Sequence, residues 1–313
     1  MTRPHYLVLL GASVLLNACA GLGRVTPYDL GVQLQDQGKT AAAIERYREV
    51  LADNPDHFRA RFNLAVLYHD QQNYQAAEQE YRYLLEQRPD DARSLINLSD
   101  IAAAQGNLTQ AYVLLLRAVD AAPEQAYPYS YLGRHLQQRG RLAEAQAAYE
   151  HALELDDDAL THYRLGMLWL QQDRPDEAMA HFRKAVALDP NDSKSLYQLA
   201  VLAMDGGQQT DAERYLQRLT RLTPHHAEVF IRLGQLYLKR GQYSTAVLQL
   251  WEARDLQPGS LEVEQLLLQS YEQLLRQQQE TVTRSLEQPI TPAANRALDR
   301  LDGHHPTPAS ISR

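Results

Sequence analysis

The sequence has a single cysteine, Cys19, among its 313 residues. An internal disulfide is therefore excluded, because a disulfide needs two thiols. The chain also lacks the glycine-rich loop of nucleotide-binding proteins and the HExxH, GxSxG and CxxC motifs. These absences remove the common signatures of phosphate, zinc-protease, hydrolase and redox sites. We therefore expect a protein that is not an enzyme and needs no cofactor.

Histidine pairs and one acidic run come nearest to a metal site, and neither has ligand spacing. The pairs are His225-His226 and His304-His305; adjacent residues of a helix point apart, so they do not converge on one ion. The run Asp156-Asp157-Asp158 lacks the alternating spacing and the glycine of a calcium loop. We predict no metal site, and we interpret the acidic run as a solvated turn that caps the next helix.

The chain has no excess of basic residues. Its 39 Asp and Glu outnumber its 31 Lys and Arg, which gives a formal net charge of −8. Proteins that bind nucleic acid place clustered Lys and Arg on the phosphates. This balance predicts that nucleic acid is not a partner and that the charge serves solubility.

Long apolar runs are also missing, and the longest lies near the start of the chain, from Tyr6 to Leu16. Eleven positions are too few for a transmembrane helix, which needs roughly 20 residues. An export signal that is cleaved fits this length better, because such signals carry a basic residue, here Arg3, before a short apolar segment.

The tetrapeptide at 16–19, Leu-Asn-Ala-Cys, resembles the lipobox of bacterial lipoproteins, in which the cysteine thiol takes a diacylglycerol group. The resemblance implies a signal peptide over 1–18, lipidation of Cys19, and a lipidated linker over 19–27. Ala20 stands where an Asp would imply retention in the inner membrane. The predicted location is therefore the periplasmic face of the bacterial outer membrane, with the acyl chains as the membrane anchor.

Asn17 is the unusual member of this tetrapeptide. An ordinary cleaved signal or an uncleaved anchor therefore remain alternatives to lipidation.

A 34-residue repeat fills most of the remaining chain. The first half of each copy contains a leucine followed by a small residue. These pairs are Leu30-Gly31, Leu64-Ala65, Leu98-Ser99, Leu132-Gly133, Leu165-Gly166, Leu199-Ala200 and Leu233-Gly234. A turn residue follows in each copy: Gly38, Gln72, Gly106, Gly140, Asp173, Gly207 and Gly241.

The second half of each copy has an alanine and then a large residue four positions later, and most copies close on proline. The alanines are Ala43, Ala77, Ala111, Ala145, Ala178, Ala212 and Ala246, and the large residues are Tyr47, Tyr81, Leu115, Tyr149, Phe182, Leu216 and Leu250. The prolines are Pro55, Pro89, Pro123, Pro190, Pro224 and Pro258. This pattern predicts two helices, A and B, that approach closely at the small residues, with a turn between them and proline after helix B.

These seven copies, from Arg24 to about Ser260, resemble the tetratricopeptide repeat family. The resemblance implies an all-α fold, a right-handed superhelical solenoid of about seven helical hairpins. An amphipathic stretch from Leu261 to Gln279 is expected to be a C-terminal capping helix. We therefore predict a solenoid with its cap over 28–279 and a disordered, proline-containing tail over 280–313.

In this family helix A lines a concave groove that holds a protein or an extended peptide. The matching positions form the candidate groove: Tyr28, Arg59, Phe62, Asn63, Arg93, Ile96, Asn97, Tyr127, Tyr131, Arg134, Tyr163, Arg164, Met167, Tyr197, Met204 and Arg232. Asparagine amides can bind a peptide backbone, arginines attract carboxylates, and aromatic rings supply apolar contact area. The alternative for each aromatic residue is packing between helices. The Lys and Asn pair of the family's carboxylate clamp is absent.

Three functions remain open. The first is a lipid-anchored adaptor, a protein–protein interaction scaffold that assists assembly or regulation of an envelope complex such as pilus secretin or peptidoglycan machinery. The second is a subunit that recruits enzymes to an envelope polysaccharide synthesis or export complex. The third is a soluble periplasmic chaperone without an anchor.

Overall fold

The computed structural model describes residues 25–287, and every regular element within that range is an α-helix. The helices are α1 (Pro27–Asp36), α2 (Thr40–Asp53), α3 (Phe58–Asp70), α4 (Tyr74–Gln87), α5 (Ala92–Ala104), α6 (Leu108–Ala121), α7 (Ala126–Gln138), α8 (Leu142–Leu155), α9 (Ala159–Gln171), α10 (Pro175–Leu188), α11 (Ser193–Asp205), α12 (Gln209–Leu222), α13 (Ala227–Lys239), α14 (Tyr243–Leu256) and α15 (Leu261–Glu287). The predicted all-α repeat fold is confirmed. Cys19, the predicted signal peptide and residues 288–313 lie outside the described range, so the lipidation of Cys19 stays a prediction.

The chain forms two compact units that divide within α9, between Leu168 and Trp169. In the N-terminal unit, α1 to α8 pair as four antiparallel hairpins, and each hairpin packs on the next. In the C-terminal unit, α10 packs on α11, the pairs α11/α12 and α13/α14 form hairpins, and α15 packs on α14 and α13.

The turn between the two helices of each repeat has left-handed backbone at its predicted position. The seven φ angles are 70° at Gly38, 59° at Gln72, 82° at Gly106, 74° at Gly140, 57° at Asp173, 71° at Gly207 and 71° at Gly241. Five of these residues are glycines, which adopt positive φ at little cost. The repeat spacing also identified Gln72 and Asp173 correctly, although neither is glycine.

The small residue of helix A lies directly under the large residue of helix B. A Cβ atom built on Gly133 would stand 2.7 Å from Cδ1 of Tyr149, and one built on Gly31 would stand 2.7 Å from Cε1 of Tyr47. The seven repeat alanines are fully buried, and so are the large residues four positions after them. The predicted close approach of helices A and B is confirmed within each unit, where it forms the apolar core of the hairpins.

Helix ends follow their predicted signals. Each closing proline lies two residues beyond the end of its helix B, and Pro175 is the first residue of α10, where a missing N–H group costs nothing. Asp158 caps α9 as expected of the acidic run, because its Oδ1 accepts a hydrogen bond of 2.9 Å from the Thr161 amide.

The last helix is longer than the predicted cap. It buries Val263, Leu267 and Ser270 against the preceding hairpin, but it ends at Glu287 instead of Gln279. Residues 280–287, predicted as tail, are therefore helical. No glycine or proline interrupts the sequence between Ser260 and Pro289, so the chain contains no stop signal near 279.

Candidate partner-binding site

The candidate groove residues of α3 and α5 differ in exposure. Arg59 and Arg93 are exposed, whereas Phe62 is half-buried, with its ring centre 5.8 Å from that of Tyr81 and the two rings inclined at 69°. Ile96, expected in the groove, is buried and belongs to the core. The two arginines are therefore the accessible members of this part of the face.

Asn63 takes part in a hydrogen-bond chain between helices. Its Nδ2 donates to the Tyr47 hydroxyl at 3.1 Å, and that hydroxyl donates to Oε1 of Gln35 at 2.8 Å. Burial raises the pKa of Tyr47, and the bond from Asn63 opposes that rise. The amide donor of Asn63 thus holds the core tyrosine of the first hairpin.

Asn97 uses its amide differently. Its Nδ2 donates to the backbone oxygen of Arg93, one turn earlier in α5, at 2.9 Å. The two asparagines, 34 residues apart, therefore use their amide groups differently within the chain, and binding of a peptide backbone by them stays a prediction. In this structure each amide nitrogen donates a hydrogen bond within the chain.

The ring of Tyr131, on α7, contacts two arginines of the helix A face. The guanidinium carbon of Arg134 lies 4.7 Å from the ring centre and that of Arg164, on α9, lies 4.4 Å from it. Both distances fit cation–π contacts. Arg134 also forms an ion pair with Asp100 of α5, so its charge is matched. Three successive helices A are joined at this point.

Arg164 has no such carboxylate partner among the described residues. Its Nη1 donates to Oγ of Ser130 at 2.7 Å, and the Thr161 hydroxyl donates to the same Ser130 oxygen at 2.7 Å. Burial, followed by the charge of Arg134, lowers the pKa of Arg164. The site therefore holds a half-buried guanidinium that can still form an ion pair with an anionic group of a partner.

A cavity of about 420 Å³ opens beside this guanidinium, between the start of α7 and the start of α9. Its lining residues are Glu124, Gln125, Ala126, Tyr127, Ser130, Tyr131, Leu155, Asp156, Asp158, Leu160, Thr161 and Arg164. Three of them were predicted: Tyr127, Tyr131 and Arg164. Ser130 and Thr161 were not, because short hydroxyl residues on a helix give no signal of pairing 31 positions apart.

The other predicted aromatic residues of the N-terminal unit are half-buried. Tyr28 packs with its ring centre 5.1 Å from that of His57. Burial raises the pKa of Tyr127, and the neighbouring Arg93 cation opposes the rise. Tyr163 and Met167 lie half-buried on α9. These residues contribute partly exposed apolar area next to exposed cations.

The candidates of the C-terminal unit form a neutralised cluster. Arg232 Nε lies 2.8 Å from Glu228 Oε1, and the Tyr197 hydroxyl donates to that same oxygen at 3.2 Å. Met204 is half-buried. The guanidinium here is matched by a carboxylate of its own chain, so the cluster offers less to an anionic partner than Arg164 does.

Residues 25–287 contain neither a candidate metal site nor a candidate membrane span. No group of three histidine, cysteine or acidic side chains is placed to hold a metal ion. No helix in that range combines the length and apolar character needed to cross a bilayer.

Comparison with known proteins gives a family match and a set of similar folds. A profile described as tetratricopeptide repeat matches residues 28–92, 70–126 and 132–193, and a second profile of the same description matches residues 170–228. No curated protein sequence matches the chain.

Three solved structures illustrate the similarity of fold. Pseudomonas aeruginosa pilF is 21% identical with a TM-score of 0.57, and the match covers 66% of this chain and 95% of that one. PilW, a widely conserved type IV pilus biogenesis factor, is 20% identical with a TM-score of 0.57 and coverage of 68% and 99%. A chain of the APC/C hetero-tetramer Cut9–Hcn1 is 18% identical with a TM-score of 0.61 and coverage of 79% and 49%, so this chain spans about half its length.

Proposed function

Because the chain belongs to the tetratricopeptide repeat family, we propose that it is a non-catalytic scaffold that holds a protein or extended peptide on the helix A faces of its N-terminal unit. Proteins with this fold serve as protein–protein interaction scaffolds and bind their partners in a groove. The helix A faces of the N-terminal unit supply the residue types that such binding uses, namely exposed cations and half-buried aromatic rings.

The main support for this proposal is the set of contacts around Arg164. A half-buried guanidinium without a carboxylate partner among the described residues lies against the Tyr131 ring and beside a cavity of about 420 Å³. A partner that places a carboxylate there gains a charge-assisted hydrogen bond in partly desolvated surroundings. Tyrosine and arginine are also the residue types that dominate binding energies at interfaces.

The finer proposal is a lipid-anchored adaptor that assists assembly or regulation of an envelope complex, such as pilus secretin or peptidoglycan machinery. The lipobox at 16–19 motivates the anchor, and the groove motivates the adaptor role. The pilF and PilW structures share the fold at 20–21% identity, which makes a pilus complex the first machine to test.

The groove is tested by reversing its accessible charges. Arg59→Glu/Arg93→Glu places two carboxylates on the helix A face, and we expect at least a tenfold loss of partner recovered from detergent-solubilised envelopes. Arg82→Glu/Arg183→Glu makes the same charge change at exposed positions of helices B and is expected to keep normal recovery. Equal recovery with both variants would refute binding on the helix A face.

The anchor is tested separately by Cys19→Ser. We expect this variant to move from the membrane fraction to the soluble fraction and to lose the acylated N-terminal peptide in mass spectrometry. An unmodified Cys19 in the wild-type protein would instead support the soluble chaperone alternative. Recovery of polysaccharide synthesis or export proteins in the envelope experiment would support the recruiting-subunit alternative.

A further inference from the structure

The last helix, α15, carries a stripe of exposed apolar side chains. Leu261, Leu268, Leu275 and Val282 follow one another at intervals of seven residues, and their exposed fractions are 79%, 61%, 59% and 57%. Large apolar side chains of soluble proteins are rarely exposed in such a row. The seven-residue interval is the period with which one helix packs along another in a coiled coil.

One residue of the stripe occupies a repeat position whose equivalent in the preceding hairpin faces helix B. A Cβ atom on Gly234 of α13 would stand 2.6 Å from Cγ of Leu250, so this position points at α14. The equivalent position one repeat later, 34 residues on, is Leu268. Leu268 therefore points to where an eighth helix B would pack, and within the described residues no such helix follows α15.

Further along, α15 continues where the other repeats turn. The turn position after Gly241 is Leu275, which is helical, and every side chain from 275 to 284 is exposed. A helix is stabilised mainly by packing of its apolar face, and this part is rich in glutamine and exposed. Packing of a second helix against the stripe would therefore stabilise this extended part of α15.

We propose that the stripe pairs with α15 of a second copy of this chain, as an antiparallel two-helix interface. The length of α15 supports this choice: its 27 residues span about 40 Å, whereas the other fourteen described helices have 10 to 14 residues. A second α15 supplies a helix of equal length with the same stripe. A two-fold axis makes such a contact self-complementary.

The charges decide the direction of the pairing. In an antiparallel pair centred between Tyr271 and Glu272, Leu268 meets Leu275 of the other copy and Leu261 meets Val282. A parallel pair in register would bring Glu264, three residues after Leu261, against Glu264 of the other copy, and like charges at such positions destabilise the pair. The antiparallel pair places each Glu264 opposite a glutamine instead.

An aromatic pair adjoins the stripe. The Trp251 indole Nε1 donates to the Tyr271 hydroxyl at 2.8 Å, and both rings are exposed at the surface of α14 and α15. Tyr271 lies three residues after Leu268 and four before Leu275, on the same side of the helix. Tyrosine and tryptophan are the residue types that most often anchor interfaces.

The test is sedimentation equilibrium of the purified full-length protein in a density-matched detergent, over about 1 to 200 µM, the range of a weak specific dimer. We expect a dimer, and at least a tenfold weaker dimer for Leu268→Glu/Leu275→Glu. Gln269→Glu/Gln277→Glu adds the same charge on other faces of α15 and is expected to dimerise normally. Circular dichroism checks that each variant keeps its helices.

Cross-linking gives the direction. We expect that Leu268→Cys and Leu275→Cys proteins, both also carrying Cys19→Ser, form disulfide dimers efficiently when mixed and poorly alone. A monomeric wild-type protein, or a dimer that Leu268→Glu/Leu275→Glu leaves intact, would overturn the proposal. Efficient cross-linking of Leu268→Cys alone would overturn the antiparallel arrangement. None of these outcomes depends on the partner-binding face, because the proposal uses no residue of that site.

Discussion

At the scale of single residues, three tyrosines hold the same repeat position but differ at their hydroxyl groups. Tyr47 donates to Gln35 at 2.8 Å and Tyr149 donates to Gln137 at 3.0 Å. The hydroxyl of Tyr81 is buried with no hydrogen-bond partner among residues 25–287, and burial raises the pKa of this residue. In the first and fourth hairpins the small residue is glycine and a glutamine follows four residues later; in the second hairpin the corresponding residues are alanine and histidine.

We expect Tyr81→Phe to leave stability unchanged or to raise it, because the substitution removes a buried hydroxyl that makes no hydrogen bond. Tyr149→Phe is the matched control: it removes a bonded hydroxyl and leaves the Gln137 oxygen without that donor. Its expected cost is about 1 kcal/mol. Urea unfolding of both variants measures the difference. A larger loss for Tyr81→Phe than for Tyr149→Phe would contradict the assignment of these hydrogen bonds.

His135 makes the stability of the protein depend on pH. It is buried, and its Nε2 atom has no hydrogen-bond partner in the part of the chain that the structure describes; burial together with the charges of Arg139 and Arg134 lowers its pKa. Above the unfolded-state pKa of 6.5, both states hold a neutral imidazole and the group has no effect on the free energy of unfolding. As the pH falls through that value, the unfolded chain gains a proton that the folded protein excludes, so stability declines.

We expect His135→Phe to reduce this decline between pH 7 and pH 5, because phenylalanine keeps a flat ring against Tyr112 and does not titrate. The measurement is urea unfolding across that range for the wild type and the variant. His151→Phe makes the same substitution at an exposed position and serves as the comparison. Identical pH dependence of His135→Phe and the wild type would show that another group is responsible.

Residue roles were harder to predict from sequence than residue positions. The spacing of Asn63 and Asn97 placed both on helix A, but their hydrogen bonds depend on neighbours that the repeat does not fix. Asn63 reaches Tyr47 because that ring lies close over Gly31. The link between Ser130, Thr161 and Arg164 likewise depends on contacts between repeats.

At the scale of helices and turns, the repeat pattern predicted most of what the structure contains. The seven turn positions, the buried alanines and the close approach of helices A and B all follow from residue size and backbone preference at fixed spacing. The end of α15 was predicted wrongly, because the capping helix was inferred from its packed face. The helix continues beyond that face, where only the absence of glycine and proline before Pro289 indicates its length.

The turn at Gln72 tests whether backbone strain at a turn affects stability. A non-glycine residue at φ 59° is strained, and glycine removes that strain. We expect Gln72→Gly to stabilise the protein by about 0.5 to 1 kcal/mol in thermal or urea unfolding. Gln71→Gly changes the neighbouring residue, which has φ −78°, and is expected to give no gain. Stabilisation by both substitutions, or by neither, would contradict the strain argument.

At the scale of the whole molecule, the chain has one kind of building unit and two kinds of surface that could take a partner. The helix A faces of the N-terminal unit present Arg59, Arg93 and the guanidinium of Arg164 with its aromatic neighbours. The last helix presents an apolar stripe of seven-residue period. The first surface follows from the family resemblance seen in the sequence, whereas the second became visible only when the structure showed which face of α15 is left open.

The central claim, that the helix A faces of the N-terminal unit hold a protein partner, is tested most directly by photo-crosslinking in intact cells. The photoreactive amino acid p-benzoylphenylalanine replaces Arg93 or Tyr127 on that face, and Arg82 or Arg183 on helices B as controls. We predict crosslinked adducts with the same protein from both helix A positions and none from the controls. Adducts from the helix B positions alone, or from none of the four, would contradict the account.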